Sequence, residues 1–154
     1  MAEDLTFLMG KFPAVLPGGL RYARNHMWAR PGERGRWRFG FTSYAIRLMQ
    51  DVYFLDWHVS PGDTLALLQE IGHIETSKAE SDLFAPLAGT LAGLNGALLE
   101  DPSAINVEGY GAGWLFEMTD CDPAPLLDAA EYHRFLTEGW EKTQRLIKGK
   151  INTE

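Results

Sequence analysis

The stretch Glu75-Thr76-Ser77-Lys78-Ala79-Glu80-Ser81-Asp82 is polar apart from Ala79 and separates two largely apolar runs, Ile71-Gly72-His73-Ile74 and Leu83-Phe84-Ala85-Pro86. Strand, exposed turn, strand is the simplest reading, with Lys78 in mid-turn among three acids. An exposed ε-amine is either a solvated cation or an acceptor for covalent acylation, and local sequence alone favours the first. His73 lies five residues upstream of Lys78. It suits a general base or thiol partner on one reading and a hydrogen-bonded structural histidine on the other. Cys121 sits between Asp120 and Asp122, whose charges raise a thiol pKa and weaken it as a nucleophile. A single cysteine cannot close an internal disulfide. No catalytic residue and no metal ligand set is expected.

The elements that must hold this turn are short. The 154 residues suit one domain with its own core, and 45% hydrophobic with 23% charged residues is ordinary for a globular chain. Acids outnumber bases 21 to 14, giving a formal charge of −7, so neither nucleic acid nor an anionic membrane is an expected partner. Glu3 and Asp4 stand where a signal peptide would be basic. The uncharged run Leu83 to Leu99 contains Pro86, Asn95 and three glycines, and it falls short of the ~20 residues of a membrane span. A cytoplasmic monomer is the expectation.

Residues 1–19, with Pro13, Pro17, Gly18 and Gly19, read as an irregular arm. Strand-like runs follow at Met27–Arg30, Trp37–Phe41, Val52–Trp57, Thr64–Leu68, Ile71–Glu75 and Leu115–Met118, a spacing that points to a sandwich or barrel. Ser43 is the expected N-cap of a short helix, Tyr44 to Gln50. Leu126 to about Lys148 has helical spacing, with Gly139 as a possible division into two helices. Thr64-Leu65-Ala66-Leu67-Leu68 is echoed by Thr90-Leu91-Ala92-Gly93-Leu94, which suggests two equivalent half-sheets around the Lys78 turn. The expected organisation is an arm (1–19), a central domain (20–121) and a carboxyl-terminal helical segment packed on it (122–154).

The segment from Glu75 to Gly89, with Lys78, Ser81-Asp82-Leu83-Phe84-Ala85-Pro86 and Gly89, resembles the lipoylation segment of the glycine cleavage H proteins. The likeness continues through Arg21-Tyr22, His26 and Trp28, then Gly40-Phe41-Thr42-Ser43-Tyr44-Ala45. Farther on it includes Asn95, Pro102, Asn106, Tyr110-Gly111 and Gly113-Trp114. The resemblance implies a mostly β barrel-sandwich hybrid (the lipoyl-carrier fold) with added carboxyl-terminal helices. It also implies a non-catalytic carrier with lipoic acid in amide linkage on Lys78. Glu75, Thr76, Ser77, Ala79, Glu80, Ser81 and Asp82 would form the recognition turn. The implied partners are a lipoylating enzyme, dihydrolipoamide dehydrogenase and the enzymes that load and unload the arm.

The same resemblance implies an arm cleft at Asn25, His26, Met27, Trp28 and His73. Family members that hold a cationic aminomethyl cargo have a Glu where this chain has Met27 and a Ser where it has Asn25. A buried cation without its carboxylate is costly. H-like lipoate-binding proteins that work beside a heterodisulfide-reductase-like complex in sulfur oxidation can also lack that Glu. On this likeness the expected pathway is sulfur oxidation, with aminomethyl transport in glycine cleavage as the alternative.

Overall fold

The computed structural model describes residues 3–151. A six-stranded antiparallel sheet and a three-stranded one pack face to face, with a two-stranded hairpin and a long helix on the outside. Its strands are β1 (Leu5–Met9), β2 (Phe12–Leu16), β3 (Arg21–Tyr22), β4 (Met27–Pro31), β5 (Trp37–Phe41) and β6 (Val52–Trp57). They continue with β7 (Thr64–Leu65), β8 (Glu70–Thr76), β9 (Glu80–Phe84), β10 (Gly89–Leu94) and β11 (Phe116–Thr119). The helices are α1 (Ser43–Met49), α2 (Ala97–Glu100), α3 (Ala104–Val107) and α4 (Ala129–Ile151).

The larger sheet runs β3-β4-β5-β11-β10-β7 and the smaller β6-β8-β9. Between them lies one apolar core, with Met27, Phe39 and Phe41 from the first and Val52, Leu55, Ile74 and Leu83 from the second. The echoed segments meet as antiparallel neighbours, Thr64 opposite Thr90 and Leu65 opposite Gly89. This is the expected barrel-sandwich arrangement, and in it β8 of the β8–β9 hairpin pairs with β6 while β9 is the edge of the smaller sheet.

A second core joins the termini to the sandwich. Phe7, Met9, Ala14 and Leu16 of the first hairpin pack with Tyr22, Trp28, Tyr44, Tyr132 and Leu136. The segment read as an irregular arm therefore forms a hairpin. Both strands alternate inward and outward, and Pro13 sits opposite Leu8 in a two-stranded ribbon, where a missing N–H is tolerated.

Three further boundaries differ from the sequence reading. Thr42, not Ser43, caps α1, its Oγ1 accepting from the Ala45 N–H at 3.2 Å. Strand β7 stops at Leu65 because Ala66 to Gln69 turn back, with the Gln69 N–H donating to the Ala66 carbonyl at 3.0 Å and Leu68 at φ 62. Helix α4 starts at Ala129, since Leu127 is still extended and bridged to Tyr22. Asp128 and Glu131 cap it reciprocally through their side chains and backbone N–H groups at 2.8 Å. It also continues through Gly139 unbroken; one exposed glycine costs about 1 kcal/mol, too little to divide a long helix.

Candidate functional site

The β8–β9 hairpin owes its shape to alternation. Ile74 and Thr76 turn inward while His73 and Glu75 turn outward, opposite Asp82 and Glu80 respectively. The buried Thr76 then organises the tip. Its backbone N–H donates to the Ala79 carbonyl at 2.9 Å, and its Oγ1 accepts from the N–H groups of Lys78 and Ala79 at 3.2 Å each. A hydroxyl that satisfies two turn amides fixes the loop without help from the lysine side chain. Ser77 ties the tip to the neighbouring strand: its N–H donates to the Asp51 carbonyl at 2.9 Å, and its Oγ accepts from the Asp51 N–H at 3.3 Å.

Lys78 is exposed at the apex, and among the described residues it forms no ion pair. A rigid, externally braced turn with a free primary amine at its tip is what covalent attachment of an acyl cofactor requires. The residues present therefore fit a lipoyl group.

Below the tip, the outward faces of both strands gather titratable groups. His73 Nε2 lies 3.3 Å from Glu75 and 3.7 Å from Glu80, and Nδ1 lies 3.6 Å from Asp82. Desolvation lowers the His73 pKa, but hydrogen bonds to Glu75 and Asp82 and the charge of Glu80 outweigh it and hold it above its ordinary value. Among the described residues, His73, Glu75 and Glu80 also form a group whose donor atoms lie within 4.8 Å of one another. Cys121 behaves as its neighbours dictate: burial, then the Asp120 charge, push its thiol up to about 11.

The residues expected to line an arm cleft divide. Asn25 is half-buried near β9, its Nδ2 donating to the Phe84 carbonyl at 3.0 Å, while its buried Oδ1 has no partner. His26, at φ 71, reverses the chain and turns its ring into the second core, with Nδ1 2.9 Å from the Tyr132 hydroxyl. Burial lowers its pKa from 6.5 to about 4.

Met27 is 1% exposed within the core between the sheets, paired with Phe41. Trp28 is fully buried, its Nε1 donating to the Gly109 carbonyl at 2.8 Å. A Cβ on Gly40, opposite Trp28, would lie 2.5 Å from the indole, so only glycine admits that ring. His26, Met27 and Trp28 are thus framework, not cleft wall. The physical reason is that β4 is covered on both faces, Met27 facing the core between the sheets and Trp28 the second core. His73 lies on the outer face of β8, opposite Asp82.

Sequence reasoning missed Asp51 as the brace of Ser77 and Thr76 as the organiser of the turn amides. Beside that brace, Gln50 is held at φ 65 and ψ −148. That positive φ favours glycine.

The comparisons with known proteins bear on the whole arrangement. A family profile described as "Glycine cleavage H-protein" matches residues 20–139. The glycine cleavage system H protein of Methylobacillus flagellatus is 39% identical over 122 residues, spanning 79% of this chain and 98% of that protein. Its counterpart in Psychrobacter cryohalolentis is 38% identical over 124 residues, with 79% and 98% covered. The crystal structure of a glycine cleavage system H protein from Mycobacterium marinum superposes with a TM-score of 0.67 at 30% identity. It covers 80% of this chain and 98% of that one. Heterodisulfide-reductase-like partners and sulfur oxidation, expected from Met27, find no support in these relatives. Members of the matched family carry a lipoyl group on a lysine. The chain belongs to the glycine cleavage H-protein family.

Proposed function

We propose that Lys78 bears the lipoyl group in amide linkage and that the chain is the aminomethyl carrier of a glycine cleavage system, not itself a catalyst. One observation carries the reading. Within the matched region 20–139, the free amine of Lys78 stands at the apex of a turn braced by Thr76 and Asp51. Once attached, the dithiolane supplies reversible thiol–disulfide chemistry and a sulfur to hold the cargo. The chain's own residues supply position: the sandwich holds the tip rigid, and the tether raises the arm's local concentration at each docked partner. Those partners are the glycine-cleaving enzymes, dihydrolipoamide dehydrogenase and a lipoylating enzyme.

The sulfur pathway was expected from Met27 in place of a carboxylate. The burial of Met27 between the sheets removes the premise, because its side chain does not face a cargo. Asn25 Oδ1 is unpartnered and Asp82 is exposed on β9; these are acceptors that suit an ammonium donor.

The test is reconstitution. The lipoylated chain, mixed with glycine decarboxylase, aminomethyltransferase and dihydrolipoamide dehydrogenase, should support glycine-dependent release of carbon dioxide. The unlipoylated chain should not. A lipoylated chain that supports no turnover with active partners would overturn the pathway while leaving the carrier fold intact.

A further inference from the structure

His73 and Glu75 leave β8 on its outer face, and Asp82 and Glu80 of β9 stand directly opposite them. We infer that His73, Glu75 and Glu80 form a binding site for a divalent cation of the zinc class, with Asp82 orienting the imidazole. The site does not depend on modification of Lys78, so its test is independent of the carrier reading.

Three observations carry it. The first is convergence on one atom. His73 Nε2 lies 3.3 Å from Glu75 Oε2 and 3.7 Å from Glu80 Oε1. One ring nitrogen carries at most one proton, so it cannot serve both carboxylates as a hydrogen-bond donor. Zinc held tetrahedrally at about 2.0–2.2 Å by imidazole and carboxylate sets its donors about 3.3–3.6 Å apart, close to the spacing found here. All three donor atoms lie within 4.8 Å of one another.

The second is unbalanced charge. Glu75 and Glu80 are direct cross-strand partners, and like charges so placed destabilise an antiparallel pair. Among the described residues, Glu75, Glu80 and Asp82 pair with no lysine or arginine, and the imidazole is their shared ionic contact. A divalent cation converts that repulsion into a link between β8 and β9, the edge strand of its sheet. It clamps the hairpin immediately below the Lys78 turn.

The third is the support around the imidazole. A metal-bound histidine characteristically turns its other ring nitrogen toward a carboxylate. Here Nδ1 lies 3.6 Å from Asp82 Oδ1. The Phe54 ring, 6.3 Å from the imidazole between centroids, walls the β6 side. The His73 and Glu75 side chains are 25% and 31% exposed, open enough to admit an ion yet partly shielded from water. One imidazole with two carboxylates suits zinc better than magnesium or calcium, which take oxygen ligands.

The test uses the full, untagged and unmodified chain, stripped with EDTA and exchanged into metal-free buffer. Calorimetric titration with zinc chloride should show one saturable site that persists in a large excess of magnesium. Amide hydrogen exchange should slow on zinc addition at Glu70–Thr76 and Glu80–Phe84, which reads the site without any variant. His73→Gln and Glu80→Gln should each weaken binding about tenfold or more, the minimum typical even of a metal's outer-shell partner, with circular dichroism unchanged. His58→Gln removes a histidine flanked by Asp56 and Glu70 and should leave zinc affinity as it was. Cobalt(II) should bind without the near-ultraviolet thiolate band that ligation by Cys121 would give. No saturable site, affinity retained in His73→Gln or lost in His58→Gln, displacement by magnesium, or a thiolate band would each overturn the inference.

Discussion

The Lys78 turn and the Asn25–Trp28 segment both lie within the family-matched region, yet they are built on opposite principles. At the turn, the reactive group faces solvent and the framework lies beneath it, in the Thr76 hydroxyl and the Asp51–Ser77 pair. In the upstream segment, the distinctive side chains are themselves the framework. Trp28 and Met27 are buried, and His26 is bonded to Tyr132. One segment keeps a chemical group available, and the other keeps a core closed. Substitutions in the first should alter modification without altering stability, and in the second the reverse.

The largest stability effect should come from the upstream segment. Trp28→Ala removes a fully buried ring and leaves the Gly109 carbonyl without its donor. Large-to-small changes of this kind cost about 3–5 kcal/mol, and urea unfolding would read the loss directly. A loss below about 1 kcal/mol would mean that the indole is not the keystone its contacts indicate.

The two histidines sharpen the comparison at the next scale. His26 has its pKa lowered from 6.5 to about 4 by burial, so between those values the unfolded chain binds a proton that the folded chain refuses. Stability is therefore greatest above pH 6.5 and falls as the pH drops to 4, by about 3 kcal/mol in all. His26→Asn, which tolerates the positive φ, should flatten this slope in unfolding measured from pH 7 to 4.5. His73 lies on the outer face with its pKa raised, so its contribution has the opposite sign, present at low pH and lost as the pH rises. His73→Gln should leave unfolding at pH 7 unchanged within error. A steep acid-side slope that survives in His26→Asn would move the titration elsewhere.

How much of this was legible in the sequence depends on whether the determining contact was local. Trp37–Phe41 and Val52–Trp57 read correctly as strands because turn residues bound them. The Lys78 turn was legible because polarity changes sharply at Glu75 and again at Leu83. The first hairpin was not legible, since Pro13 and the glycines near it read as breaks. Its alternating inward residues acquire meaning only from α1 and α4, which lie far along the chain. The resemblance supplied the register of Asn25–Trp28 but not the direction of its side chains. That direction follows from packing on both faces of β4, and without it Met27 was assigned to a cleft it does not face. The strained backbone at Gln50 is likewise visible only in the fold.

The central claim is that Lys78 is the attachment point and that its turn holds shape independently of its side chain. Co-expression with a lipoylating enzyme, followed by intact mass and peptide mapping of wild type and Lys78→Arg, tests both parts. The wild type should gain one lipoyl group on the peptide containing Lys78. Lys78→Arg should gain none while unfolding at the same urea concentration as the unmodified wild type. A lipoyl group retained by Lys78→Arg, or mapped to another lysine in the wild type, would contradict the account.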